Sequence, residues 1–548
     1  MKRNQSKTAA GSLAAGNAGM RRRNVFRTTG SVFVLVLCTG FFRATAMPPV
    51  RGCVYEDVNH NGKRERREKG IANVAVSNGR EVVLTDSDGR YALPAGDDHI
   101  IFAVKPSGYV FETDEYNQPE SFYIHKPGGS PPLTYQGVKP TGDMPASLDF
   151  ALTKHEEEET FTSFIFGDSQ PYTEEEVRYF EKGIVDEASA ATAGVSFGIT
   201  LGDLVGDNLT LHPLYKEAIK KTGLPWYHVM GNHDMNVDAK ADSLSDETFE
   251  ANFGPANYAF NYGRAHFIVL DDILYPDPVD GRGYRGGFRK DQLTFVENDL
   301  RFVPDGHLIV ICMHIPLMSD NDAFVEDDRR ELFRLLARYP DVLVMSAHTH
   351  YQEHHFAGRE NGLDRDRPLH EYNVGATCGD WYSGIHDDRG IPLACMRDGT
   401  PKGYALLTVT GNRYTLDYKV AGKPADYNIN LYCPRVVPQG RYAPVIYANY
   451  FMGDEGSVLE YRVDRGEWKK MNRVEDYDPA YYHYMQEWDY AEEVRPGRRP
   501  SNPVRSMHLW RAAISPDQPA GKYEVEVRTA GRNGKEYVAS GRYEIRER

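Results

Sequence analysis

Five times between residues 161 and 350, an apolar run of strand length leads into a short polar cluster. The runs 161–166, 195–201, 226–230, 308–313 and 342–346 end in Gly167-Asp168-Ser169-Gln170, Gly202-Asp203-Leu204-Val205, Gly231-Asn232-His233-Asp234, His314 and Ala347-His348-Thr349-His350. A sixth run, 266–270, and helical segments at 174–191, 289–302 and 328–339 lie among them. This alternation predicts an α/β layered domain with helices packed outside the sheets. Ligand sites in such sheets gather at the carboxyl ends of strands, so the five clusters should converge. A period of two puts Asp168 and Gln170 on one side of the chain, and His348 and His350 likewise. Glycine ahead of three clusters permits the sharp exit that a ligand-bearing loop needs.

The side chains in these clusters form a coherent ligand set. Carboxylates, imidazoles and a carboxamide oxygen suit Mn, Fe or Zn, whereas an all-oxygen set would suit Ca or Mg. One carboxylate can bridge two ions at about 3.5–4 Å, the spacing of two-metal hydrolytic sites. A lone Gly-Asp or His-x-His carries almost no information; five blocks in order at strand ends carry a great deal. Histidines outside the blocks, His212, His354 and His370 among them, read as core or surface residues.

In order, the blocks resemble the calcineurin-like metallophosphatase signature D-x-H…G-D…G-N-H-[DE]…H…G-H-x-H. The resemblance implies a four-layer α-β-β-α sandwich and hydrolysis of a phosphomonoester or phosphodiester by hydroxide activated between two metal ions. It implies that Asp203 bridges, that Asp168 and His350 hold the first metal with Gln170 near it, and that Asn232, His314 and His348 hold the second. His233 would face the substrate as proton donor, with Asp234 orienting its ring. Gln170 departs from the family's usual His and exchanges an imidazole for a weaker amide oxygen; Ala347 stands where the family has Gly. The motif activates water without reading the leaving group. A nucleotide or lipid-linked pyrophosphatase therefore remains an alternative, as does an envelope-binding protein with a vestigial metal site.

Four further residues are candidate substrate contacts. Asn208 follows the second block and either lines the substrate side or caps a loop. Arg285, in the glycine-rich stretch 281–287, either meets substrate phosphate or belongs to a surface turn. Trp381 and Tyr382 lie in Gly379-Asp380-Trp381-Tyr382-Ser383-Gly384, which is similar to a segment near the active site of multidomain bacterial members, and form a candidate aromatic wall.

The rest of the chain is β-like. Alternating runs at 81–85, 89–93 and 100–104 predict a small antiparallel β-sandwich over 47–153, ahead of a catalytic domain at 160–422. Runs at 445–450, 458–463, 507–512, 521–528 and 542–545 predict a C-terminal β-sandwich over 423–548. The N-terminal module opens on Asp57-Val58-Asn59-His60-Asn61-Gly62, with Glu68 beyond, which fits a Ca²⁺ loop with ligands Asp57, Asn59, Asn61 and Glu68. It resembles the start of prealbumin-like modules; the alternative is a loop held by Asx turns alone, which the neighbouring Lys63, Arg64, Arg66 and Arg67 favour.

Residues 1–46 carry eight basic and no acidic residues, and within them Arg21–Arg27, the apolar run 31–42 and Ala44-Thr45-Ala46 predict a cleaved export signal. The layout resembles bacterial envelope phosphoesterases, with a periplasmic, cell-surface or secreted location and a small phosphoester or envelope phosphate as substrate. No transmembrane segment is expected after residue 46. The net charge of −15 argues against nucleic acid, whose affinity rests on Lys and Arg. The cysteines beyond the signal, Cys53, Cys312, Cys378, Cys395 and Cys433, are odd in number and scattered, so no disulfide framework is expected.

Overall fold

The computed structural model describes residues 49–318 and 324–547. The predicted export signal lies outside the described residues.

Two central sheets carry the polar clusters. The first has five strands in the order Trp226–Val229, Val195–Leu201, Thr160–Phe166, Gly403–Thr410 and Arg413–Val420. Its first three strands run parallel, and the last two antiparallel. The second has six strands in the order Tyr258–Tyr262, Ala265–Val269, Leu308–Cys312, Val342–Ser346, Leu369–Asn373 and Glu353–Ala357. Its four middle strands are parallel and its two edges antiparallel. The sheets face one another through aromatic rings: Phe197 of the first lies 5.6 Å from Phe260 and 5.4 Å from Phe267 of the second. Strands buried on both faces read as continuous apolar runs, which is why Leu308–Cys312 and Val342–Ser346 are legible in the sequence and wholly buried in the fold.

The helices fall near their predicted positions. The segment expected at 174–191 is one helical stretch with a π turn at Glu181–Val185 between Glu174–Phe180 and Asp186–Ser189. Thr173 caps its start by accepting the Glu176 N–H, and three glutamates fill the first turn, where the helix dipole favours them. Lys290–Leu300 and Glu326–Leu336 pack Phe295, Val296, Leu332 and Leu336 against Ile309 and Ile311 of the second sheet.

The N-terminal strands form two four-stranded sheets. They are not purely antiparallel: Val50–Glu56 pairs in parallel with Phe150–Lys154, an arrangement open to the ends of a long connection and closed to a hairpin. Toward the C-terminus, two more sheets contain Val445–Tyr450 with Arg505–Ala513 and Gly521–Ala530 with Glu536–Arg546. A helix at Pro479–Asp489 interrupts this β-like region. Its signals are in the sequence, Asp478 as cap and Pro479 in the first turn, but its tyrosines read as strand. The five cysteines among the described residues are free. No helix among the described residues is long and apolar enough to cross a membrane.

Candidate metal centre

Every block sits at the carboxyl end of its strand. Asp168, Asp203 and Asn232 leave the first sheet; His314 and His348 leave the second. The two ends are tied together by hydrogen bonds from the His348 N–H to both Asp168 oxygens, each 3.1 Å, and from His314 Nδ1 to the Leu201 carbonyl, 2.8 Å. Gly202 takes φ +87°, and a Cβ there would overlap the His314 ring. A Cβ on Gly231 would overlap the Asp203 backbone. Glycine is required at both positions by close approach.

The backbone at the cluster is unusual for its residue types. Asp168, Gln170, Asp203, His348 and His350 have φ of 30°, 39°, 49°, 70° and 58°. Non-glycine residues in this region cost roughly 1–3 kcal/mol each and persist where surrounding structure over-determines them. Here the constraint is the convergence of side chains on one point. Asp203, His314 and His348 place ligand atoms within 4.8 Å of one another. His314 Nε2 is 3.1 Å from Asn232 Oδ1, 3.3 Å from Asp203 Oδ1 and 3.2 Å from His348 Nδ1. On the other side, His350 Nε2 stands 3.7 Å from Asp168 Oδ1.

These contacts fit cations. The Leu201 carbonyl fixes the His314 proton on Nδ1, and the Gly379 carbonyl, 2.8 Å from His350 Nδ1, does the same for His350. Each Nε2 lone pair then points inward, the orientation that a metal ligand needs. His314 Nε2 meets two oxygens and a nitrogen, and one proton cannot serve three acceptors at once. Gln170 donates from Nε2 to the Tyr172 hydroxyl at 3.3 Å, while its Oε1 is buried without a hydrogen-bond partner. A buried carbonyl oxygen of this kind is costly unless something positive completes it.

Three family models match successive parts of the chain: N terminal of calcineurin-like phosphoesterase over residues 58–139, calcineurin-like phosphoesterase over 164–352, and C terminal of calcineurin-like phosphoesterase over 371–537. The chain belongs to the calcineurin-like phosphoesterase family. It is 26% identical over 144 residues to a probable glycerophosphodiester phosphodiesterase GpdQ of Arcobacter nitrofigilis, covering 25% of this chain and 50% of that protein. The chain thus spans about half the length of the curated relative it matches. Among solved structures, it is similar to purple acid phosphatase PPD1 from yellow lupin (Lupinus luteus) seeds at 13% identity and TM-score 0.36, over 64% of this chain and 67% of that one. A metallophosphoesterase from Sphaerobacter thermophilus gives 14% identity and TM-score 0.22, over 48% of this chain and 89% of that one.

Within this phosphoesterase, burial pushes Asp168 up to about 8, while Asp203 is held below the usual carboxylate range. Both are fully buried. Burial raises Asp203 as well, but positive charge at His314 and His233 outweighs that effect, and a cation on His314 Nε2 would supply the same charge in place of a proton. Burial also works against the charged forms of His314 and His233, yet Asp203 and other carboxylates raise them to about 10 and about 9. For His233 the second contributor is Asp207, whose Oδ1 lies 2.7 Å from Nδ1.

That contact corrects one expected role. Asp234 does not orient His233. Its carboxylate accepts the N–H groups of Leu204, Val205 and Gly231 at 3.0, 3.2 and 2.9 Å, and it lies 3.3 Å from His212 Nε2. A side chain adjacent to His233 in sequence points the opposite way across the turn, into the loops that carry Asp203 and Asn232. His212, read from sequence only as a core or surface residue, is its buried partner.

The candidate substrate contacts divide. Trp381 stacks on His350, centroids 4.2 Å apart. Tyr382 does not line a wall: it is 5% exposed, and its hydroxyl donates to the Ser169 carbonyl, bracing the turn between Asp168 and Gln170 from behind. Arg285 is turned to Asp277, with Nε and Nη2 2.9 and 2.8 Å from the two carboxylate oxygens, so its fork is spent within its own loop. The nearby ring that reaches the centre is Tyr284, 6.2 Å from His348. Asn208 caps its loop, accepting the Thr210 hydroxyl at 2.6 Å.

In the N-terminal module, Asp57 accepts the Gly62 and Asn61 N–H groups at 2.7 and 3.4 Å, and Glu68 accepts those of Val58 and Glu65 at 3.1 and 2.8 Å. Asn61 Oδ1 accepts the Lys63 N–H. The loop is closed by its own backbone, the Asx-turn arrangement, with the Asn59 backbone also turned to the Asp57 carboxylate. Sequence reading missed Asp272, which accepts the His314 and Ile315 N–H groups at 3.0 and 2.8 Å and fixes the strand exit that carries His314.

Proposed function

We propose that the chain hydrolyses a phosphodiester or phosphomonoester at a centre of two transition-metal ions, Mn, Fe or Zn. The observation that carries this reading is the grouping of Asp203, His314 and His348 within 4.8 Å, with Asn232 against His314 and His350 against Asp168; it supports a ligand set of Asp168, Gln170, Asp203, Asn232, His314, His348 and His350. When bound, the ions acidify water into a nucleophile and neutralise phosphoryl charge. The chain's own groups do the rest. Asp203, between the Asn232–His314–His348 and Asp168–His350 sides, joins the two halves. Leu201 and Gly379 hold the histidine tautomers, and Asp272 holds the His314 backbone. His233, with its side chain one-quarter exposed at 25%, delivers a proton to the departing alkoxide, and Asp207 holds its ring and favours its charged form.

The two central sheets and their outer helices support a four-layer α-β-β-α sandwich over 160–422. We read 47–153 as a prealbumin-like module and 423–548 as an immunoglobulin-like one. The similarity to a probable glycerophosphodiester phosphodiesterase supports a diester as the better substrate. The basic, apolar and small-residue pattern of residues 21–46 supports export and a substrate of the bacterial envelope. The test is hydrolysis of an aryl phosphodiester and an aryl phosphomonoester by metal-reconstituted protein. Turnover of the diester above the monoester is expected; turnover of neither, at full metal content, contradicts the reading.

A further inference from the structure

The chain is acidic, with 79 Asp and Glu against 64 Lys and Arg. Several of its arginines are paired with carboxylates: Arg285 with Asp277, Arg389 with Asp387, Arg495 with Glu487 and Arg499 with Asp489. Two that border Trp381 differ. Among the described residues, no carboxylate pairs with Arg397 or Arg498, although Arg498 lies beside a paired arginine in the same loop.

Both are positioned by specific contacts. The Arg397 guanidinium lies 5.7 Å from the Trp381 ring and 5.9 Å from the Tyr351 ring, and its Nε is buried without a hydrogen-bond partner. Arg498 donates from Nη1 to the Trp381 carbonyl at 3.2 Å, and its own carbonyl accepts the Gly384 N–H at 2.7 Å. It therefore reaches the catalytic face from the C-terminal part of the chain. Trp381 and Tyr382 between them have φ of 46° and 54°, two consecutive residues in a region that bulky side chains avoid. The Tyr382 N–H bonded to the Cys378 carbonyl at 3.0 Å, the Tyr382 hydroxyl on Ser169 and Arg498 on Trp381 over-determine that conformation. Its result is an indole laid on His350, with the Arg397 guanidinium beside the ring and the Arg498 guanidinium on the Trp381 carbonyl.

Arg397 is half-buried with no carboxylate paired to it, which is expensive to keep, whereas Arg498 is exposed, held by the Trp381 carbonyl and close enough to Glu176 for that carboxylate to feel its charge. The planar guanidinium fork matches the paired oxygens of a phosphate or carboxylate, and an aromatic face beside it covers the attached organic chain. We propose that Arg397 and Arg498, set around Trp381, form a second anion subsite at the edge of the metal centre. It binds a phosphate or carboxylate on the non-scissile end of the substrate and makes the enzyme selective for phosphoesters that carry a second negative group. The inference rests on the phosphoester reading given above.

The test is titration calorimetry of metal-loaded protein with three ligands that are not hydrolysed: hexylphosphonate, the same chain ending in a carboxylate, and the same chain ending in a second phosphonate. At least one doubly charged ligand should bind wild-type protein about tenfold more tightly than hexylphosphonate. Comparison of the two tells whether carboxylate or phosphate is preferred. R397Q and R498Q should each shrink that preference while leaving hexylphosphonate binding unchanged; R397K, which keeps the charge without the fork, should retain part of it. Equal binding of all three ligands to wild-type protein overturns the subsite, and so does a preference that survives in both Gln variants. Failure of all three to bind metal-loaded protein overturns the phosphoester site itself, and the subsite falls with it. Unchanged thermal unfolding of the variants separates lost recognition from lost folding.

Discussion

His233 Nδ1 lies 2.7 Å from Asp207 Oδ1, in a loop that follows a different strand, while the carboxylate next to His233 in the chain faces away. The proton donor and the residue that holds it therefore come from separate clusters. Asp207→Asn should lower kcat by about 10- to 100-fold with metal content and Tm unchanged, the usual effect of removing a partner that orients a working side chain. Asp234→Ala should behave differently. It strands three buried N–H groups and the buried His212, so roughly 3 kcal/mol or more of stability is lost and activity falls with it. Paired thermal melts and steady-state kinetics distinguish the two.

Gln170 presents a buried, unpartnered Oε1 to the centre. Gln170→Leu removes that oxygen and should let chelator strip one ion at about tenfold lower concentration than in wild-type protein. Gln170→His restores an imidazole donor and should shift the curve the other way. Metal content measured along a chelator titration reads both directions. Identical curves for the three proteins would place Gln170 outside the coordination sphere.

Away from the metal centre, His370 is buried in a stack with Phe356 and Tyr414, and burial lowers it from 6.5 to about 3. The folded state then binds fewer protons than the unfolded state between those values. Stability from this group is full above pH 6.5 and is lost as pH falls toward 3, at up to about 1.4 kcal/mol per pH unit. Thermal melts from pH 7 to 4 should show Tm falling with acidity. His370→Phe keeps the stacking and removes the titration, so its Tm should fall less steeply over the same window.

The strand ends were legible because each buried strand is a continuous apolar run that stops where a ligand begins. Leu308–Cys312 followed by His314 is the plainest case. The edge strand Glu353–Ala357 and its neighbour Leu369–Asn373 escaped because their buried positions hold His354, His370 and Glu371, whose partners are distant in sequence. The same limit explains the roles that changed. Sequence spacing places Asp234 beside His233 but does not say which way either side chain turns. Nor does it show that Arg498, more than a hundred residues past Trp381, bonds to its carbonyl. Tyr382 and Trp381 are adjacent, yet one braces a turn from behind and the other lies on His350.

The most direct test is to count transition-metal ions and assay phosphodiester hydrolysis on the same preparations of wild-type protein and Asp203→Ala. The structure places Asp203 against His314 Nε2 and ties its backbone carbonyl to the Gln170 N–H, so it touches both halves of the centre. Two ions per chain with turnover in wild-type protein, and loss of both metal and turnover in a folded Asp203→Ala protein, is the predicted result. Hydrolysis at wild-type rates by Asp203→Ala, or by wild-type protein stripped of metal, would contradict it.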